Sequence, residues 1–146
     1  HLRILSGFYG SLRPLDSIIP YRLEMQAPLH VGKYENLYTY WNHLLYDELY
    51  HENNLVINLA SKEYSQCLRP YLKEKDQFID LHFLVRKNSK LTVKATYAKM
   101  ARGAMVRFMA ERQIKTPEGL KDFQEFGYSY DMKLSKESEL YFVKEE

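Results

Sequence analysis

Apolar residues follow different rhythms along this chain, and each rhythm predicts an element. From Asn36 to about His51, Leu37, Trp41, Leu44, Leu45 and Leu49 recur at helical spacing while His43, Asp47 and Glu48 mostly take other faces, which predicts one amphipathic helix. Asn53 and Asn54 break it. Leu55 to Ala60 then runs almost without a polar residue, as in a strand buried on both faces, and Ser61 follows as N-cap of a short helix through Cys67. Ile79, Leu81, Phe83 and Val85 alternate with polar neighbours, as do Leu91, Val93, Ala95 and Tyr97 beyond a turn at Asn88 and Ser89. That alternation predicts a β-hairpin with one buried face.

A helix from roughly Ala98 to Gln113 comes next, then a short Thr116-capped helix with Pro117 at its first position. Tyr128, Tyr130, Met132 and Leu134 before the polar turn Ser135 to Glu139, with Leu140 to Val143 after it, predict a last hairpin. Residues 1 to 25 are interrupted by Gly7, Gly10, Pro14 and Pro20, so short strands or turns are expected there. Together these elements predict a mixed α/β (α+β) fold, with a mixed sheet, β-hairpins and packed helices. At 146 residues, 45% of them hydrophobic, the chain is read as one domain over residues 1–146.

Composition adds a compartment. No apolar run approaches the roughly 20 residues that cross a bilayer. Cys67 is the single cysteine, which excludes an internal disulfide and fits a reducing cytoplasm; its own reading is an inert, buried thiol. The chain opens on His1 with Leu2, Ile4 and Leu5 directly behind, so further sequence is expected upstream.

Charge sharpens the picture more. Between Phe83 and Lys115 stand nine basic residues (Arg86, Lys87, Lys90, Lys94, Lys99, Arg102, Arg107, Arg112 and Lys115) against Glu111 alone, a net of +8, which leaves −6 for the rest of a chain whose total is +2. Such segregation predicts a localised field that attracts phosphates. The alternative is that the segment pairs with the acidic remainder.

Within this segment Met100, Ala101, Ala104, Met105 and Phe108 form an apolar helical stripe, and Lys99, Arg102, Gly103 and Arg107 lie opposite. Glycine costs a helix interior up to about 1 kcal/mol, so Gly103 marks either a close approach to the backbone by something such as a phosphate, or packing against another helix. A second candidate is the stretch Ser6 to Met25, where Gly7 and Gly10 precede Arg13 and Arg22. Its spacing matches neither the P-loop nor the dinucleotide fingerprint, and structural turns are the readier account of it. The third is the strand end at Asn58, Ser61 and Glu63, where free amides and polar side chains could form a pocket. There Glu63 or Glu24 would serve as general base and Lys99 or Arg102 would stabilise negative charge. His43, Asp47 and His51 share a helical face, but no fourth ligand accompanies them and no metal is expected.

Four blocks, HLRILSGFYGSLRPLDSIIPYRLEM, VINLASKEY, YAKMARGAMVRF and GYSY, resemble in order the YaaA family of bacterial peroxide-stress proteins, also called UPF0246. Members of that family are longer at the N-terminus, so the chain is similar to their C-terminal part. The resemblance implies a cytoplasmic role in hydrogen peroxide defence, limitation of free intracellular iron and protection of DNA. It further implies an unusual mixed α/β fold that binds duplex and branched DNA through a basic cleft, with no established enzymatic activity and no cofactor. Carried onto matching positions, Arg3, Arg13, Arg22, Lys99, Arg102 and Arg107 become the cleft cations; Lys87, Lys90 and Lys94 lie outside the blocks. The family's helix-hairpin-helix DNA motif is not placed by these blocks. The alternative function is an enzyme acting on a nucleotide or nucleic-acid substrate. Direct iron binding is not expected, for want of a ligand cluster.

Overall fold

The computed structural model describes residues 1–51 and 53–146, which form two compact units. The first comprises His1–Val56 and Ala60–Gln77; the second comprises Ile57–Leu59 and Phe78–Glu146.

The first unit opens with β1 (Ile4–Ser6) and β2 (Gly10–Leu12), an antiparallel pair with Ile4 opposite Leu12. Two glycines allow this turn. A Cβ on Gly7 would stand 3.0 Å from the Leu23 carbonyl oxygen, and one on Gly10, at φ +78°, would stand 2.8 Å from the Trp41 ring. Both therefore answer to close packing and turn geometry. The Trp41 indole N–H donates to the Gly7 carbonyl at 3.0 Å, tying the hairpin to the helix behind it.

That helix is not the continuous one expected over Asn36–His51. It divides into α1 (Leu37–Trp41), which an Asn36–Thr39 capping box starts, and α2 (Leu44–Tyr50). Asn42 breaks it by turning to φ 47°. Asparagine tolerates that conformation better than most residues, and here its side-chain oxygen accepts the Tyr71 hydroxyl at 2.8 Å. The break also moves Leu44 off the core face: it is 54% exposed while Leu45 and Tyr46 are buried.

β3 (Leu55–Asn58) is shorter than its apolar run, and Leu55, Val56 and Ile57 are half-buried rather than enclosed on both faces. Ser61 starts α3 (Lys62–Ser65) without a side-chain capping bond, and this helix stops short of Cys67. Cys67 is buried, and burial pushes its thiol up to about 11, which keeps it protonated at neutral pH.

The second unit is built on β4 (Gln77–Lys87), which pairs in parallel with β7 (Glu139–Glu145). β7 in turn pairs antiparallel with β6 (Tyr128–Tyr130), and the sheet order is β3-β4-β7-β6. The expected hairpin after β4 does form, through Asn88 and Ser89 at positive φ, but β5 (Lys90–Thr92) is three exposed residues long. Val93 is exposed and Ala95 already begins α4 (Ala95–Glu111), so the apparent alternation from Leu91 to Tyr97 is not one strand. Nor does β4 have a single buried face, because a parallel central strand is covered on both: Asp80 is buried beside Phe78, Ile79 and Leu81, and it accepts the Asn58 side-chain amide at 2.6 Å.

The core of this unit is aromatic. Phe83 stacks on Phe142 at 5.4 Å, Phe123 meets Phe108 edge-on at 5.5 Å, and Tyr128 meets Phe83 at 5.5 Å. Phe123 follows the predicted short helix, a 3-10 turn over Pro117–Asp122 with Thr116 at its N-cap. The mixed α/β class expected from the pattern is the class observed. No helix among the described residues is long and apolar enough to cross a membrane.

Candidate nucleic-acid interface

α4 carries the strongest candidates. Its buried face is Ala98, Ala101, Ala104, Met105 and Phe108, with Ala98 in the place expected for Met100, which is 48% exposed. On the other side Lys99, Gly103 and Arg107 follow one another at one-turn spacing and are all exposed, with Arg102 half-buried at their edge. A Cβ built on Gly103 meets nothing within 4 Å. Helix-to-helix packing therefore does not account for Gly103, and the space above its backbone is open.

Arg102 differs electrostatically from its neighbours. Its Nε is buried and has no hydrogen-bond partner among the described residues, and burial lowers the pKa of the guanidinium from its ordinary value. A guanidinium still carries its charge at neutral pH, so a partly desolvated cation here stands without a counter-ion among the described residues. An anion arriving at this spot would restore what burial has removed.

Much of the remaining positive charge is already matched. Arg86 donates to Asp131 at 3.0 Å and to Glu145 at 2.9 Å, and Lys94 holds Glu146 at 2.5 Å, with Lys87 at 3.7 Å from the same carboxylate. Arg107 donates to Glu125 at 2.5 Å and lies 4.0 Å from Glu111. The pairing alternative thus holds for four of the nine segment cations. Among the described residues, Lys90, Lys99, Arg102, Arg112 and Lys115 enter no ion pair, although Arg112 lies over the Phe108 ring at 5.0 Å.

In the first unit, Arg13 and Arg22 are exposed, and Arg3 is half-buried at 3.8 Å from Glu48. The amides of Phe8 and Tyr9, between the two glycines, both donate to the Ser6 hydroxyl, at 3.2 and 3.0 Å. Glu63 accepts the Gln26 N–H at 3.3 Å and so stands near the exposed Glu24; Ser61 is half-buried in the same unit. Asn58 and Lys99 belong to the second unit, the former buried against Asp80 and the latter exposed. A cavity of about 250 Å³ in the first unit is lined by Tyr46, Asp47, Tyr50, His51, Asn54, Lys73, Lys75 and Asp76, and by none of the predicted pocket residues. The His43 Nδ1 and an Asp47 carboxylate oxygen lie 2.5 Å apart, and no group of three or more metal-ligating side chains occurs among the described residues.

Against known families, a model described as "Peroxide stress protein YaaA" matches residues 1–134. The chain belongs to the YaaA family. Curated relatives named "UPF0246 protein" include one from Agathobacter rectalis, 52% identical over 142 residues, which covers 97% of this chain and 57% of that protein. Others come from Limosilactobacillus reuteri, 54% identical over 142 residues with the same coverage, and from Lactobacillus johnsonii, 51% identical over 144 residues, with 99% and 57% covered. The chain spans 57% of the length of these YaaA relatives.

Two features of this YaaA chain had no clear signal in the sequence. Glu125 claims Arg107 from 18 positions away, and only the fold brings the two together. Leu15, Ile18 and Ile19 read as ordinary apolar residues between Pro14 and Pro20, yet they are 96%, 53% and 69% exposed. Their lack of helical or strand period, inside a proline-bounded stretch, was the only hint.

Proposed function

We propose that this chain supplies a DNA-backbone contact in a cytoplasmic peroxide-stress protein, neutralising phosphates of duplex or branched DNA without reading bases. The observation that carries the reading is Arg102, a partly desolvated guanidinium with its Nε unpartnered beside the open backbone of Gly103. Lys99 lies one helical turn before Gly103, and Arg107 one turn after it, released to a phosphate when it exchanges Glu125. Arg3, Arg13 and Arg22 are the first unit's contributions to the same role. Protection of DNA, with any limitation of free iron exerted indirectly, is the cellular purpose we assign to this binding.

Phosphate-only binding releases counter-ions, so log K falls with log salt at about 0.9 per phosphate contacted. Replacing Arg102 with Ala should lower affinity across unrelated duplex sequences alike and reduce the slope by about 0.9. Fluorescence anisotropy of a labelled duplex over a salt series reads both quantities. An unchanged slope removes Arg102 from the interface, and loss confined to one sequence removes the backbone-only mode. For the enzyme alternative, the candidate base Glu63 and the polar Asn58 are engaged in bonds within their own units.

A further inference from the structure

On either side of β2, the turn at Phe8 and Tyr9 and the loop over residues 13–21 are held at several points. The Tyr9 hydroxyl accepts the Ile19 N–H at 2.9 Å, the Ser6 and Tyr21 hydroxyls bond to each other, and the Asp16 carboxylate accepts the Arg13 N–H at 2.7 Å. Phe8, Tyr9 and Tyr21 interlock, with ring centroids 4.9 to 5.4 Å apart. A loop fixed this well would ordinarily turn its large apolar side chains inward, yet Leu15 is 96% exposed, Ile19 69%, and Ile18 and Phe8 53% each. Single exposed apolar residues are ordinary, whereas several within one pinned loop mark an interaction surface.

We infer that this loop, together with the outer side of β1, is the docking surface for the part of the YaaA protein that lies outside this chain. The relatives' length supplies the occupant: this chain accounts for 57% of it, so a domain-sized remainder must pack somewhere. β1 and β2 supply the second reason. They make a sheet of only two strands, with Leu2 40% and Ile4 47% exposed, and such a pair is marginal without further apolar packing. A DNA backbone is the poorer match, because its phosphates offer nothing to Leu15, Ile18 and Ile19.

The test uses the full-length protein that contains this chain. Cysteines introduced as Leu15→Cys or Ile19→Cys are compared with Glu137→Cys, an exposed reference position. Native thiol labelling should be at least about tenfold slower at 15 and 19 than at 137, at every protein concentration and without DNA, as for sites opened only by local unfolding. Equal labelling overturns the inference. So does protection that grows with protein concentration, which would point to a second copy, or protection that appears only when duplex DNA is added. Amide hydrogen exchange at Leu15 and Ile18 in the unsubstituted full-length protein gives the same reading independently of the variants: slow exchange supports the docking, and free exchange overturns it.

Discussion

At the scale of single residues, two glycines show how one residue type serves opposite ends. Gly10 sits at φ +78° against the Trp41 ring, whereas Gly103 has a helical backbone and empty space where a Cβ would go. Gly10→Ala must therefore strain the backbone and push an indole, at a cost of about 1–3 kcal/mol. Gly103→Ala removes only a flexible residue from a helix and should stabilise the protein by up to about 1 kcal/mol. Urea denaturation of the two variants measures both signs. If Gly103 is kept for a ligand, the stabilised variant should bind duplex DNA more weakly, and a variant both more stable and equally tight would end that reading of the site. The sequence marked both glycines as unusual, but the difference between them lies in what stands 3 Å away, which no local pattern encodes.

Among elements, periodicity was most reliable where an element meets one neighbour and least where it meets two. α4 was legible because one stripe faces an aromatic core and the other faces water, and the hairpin of β6 and β7 because its two halves lie close in the chain. The helix over residues 36–51 was misread because a single Asn42, held at φ 47° by its bond to Tyr71, outweighs a good apolar stripe. The pairing of β4 with β7 was hidden for a different reason: it joins residues such as Phe83 and Phe142 across a long span, and a parallel partner leaves no turn signature. The connection that delivers β7 to this position depends on Asp131. Its carboxylate accepts the N–H groups of Lys133 and Leu134 at 3.0 and 3.1 Å, and the Arg86 guanidinium from β4 at 3.0 Å. Asp131→Ala removes the acceptor of all three bonds and leaves Arg86 with Glu145, so it should destabilise the fold by about 1–3 kcal/mol. A thermal transition unmoved by this substitution would show that β7 is held in register by its ladder without this carboxylate.

Taken over the whole molecule, charge organises both stability and binding. Burial alone would raise Asp131, but the Leu134 amide and Arg86 outweigh it; burial is likewise outweighed at Asp76 by the Lys73 amide and the Tyr46 hydroxyl. The backbone N–H of Glu118 lowers that carboxylate, and Lys94 lowers Glu146. All four hold protons less tightly folded than unfolded, so their contribution is complete above the usual carboxylate pKa, near 4, and disappears as pH falls through the depressed folded values. Urea midpoints should stay level from about pH 7 to 5 and drop below about pH 4; a midpoint at pH 3 equal to that at pH 7 would contradict these assignments.

Asp131, Glu145, Glu146 and Glu125 divide the basic segment into matched and unmatched cations, and only the unmatched ones are ready to exchange counter-ions for phosphate. Arg107 sits on that boundary because it is exposed on the face of Lys99 and Gly103 yet held by Glu125. Glu125→Gln removes the competing charge while preserving the side chain's size. If the α4 face contacts the backbone, this variant should bind duplex DNA more tightly, and its log K against log salt should steepen by up to about 0.9, one more phosphate neutralised. Tighter binding with an unchanged slope would mean that Glu125 acts only by long-range repulsion, and would leave Arg107 outside the interface while Arg102 is judged on its own variant.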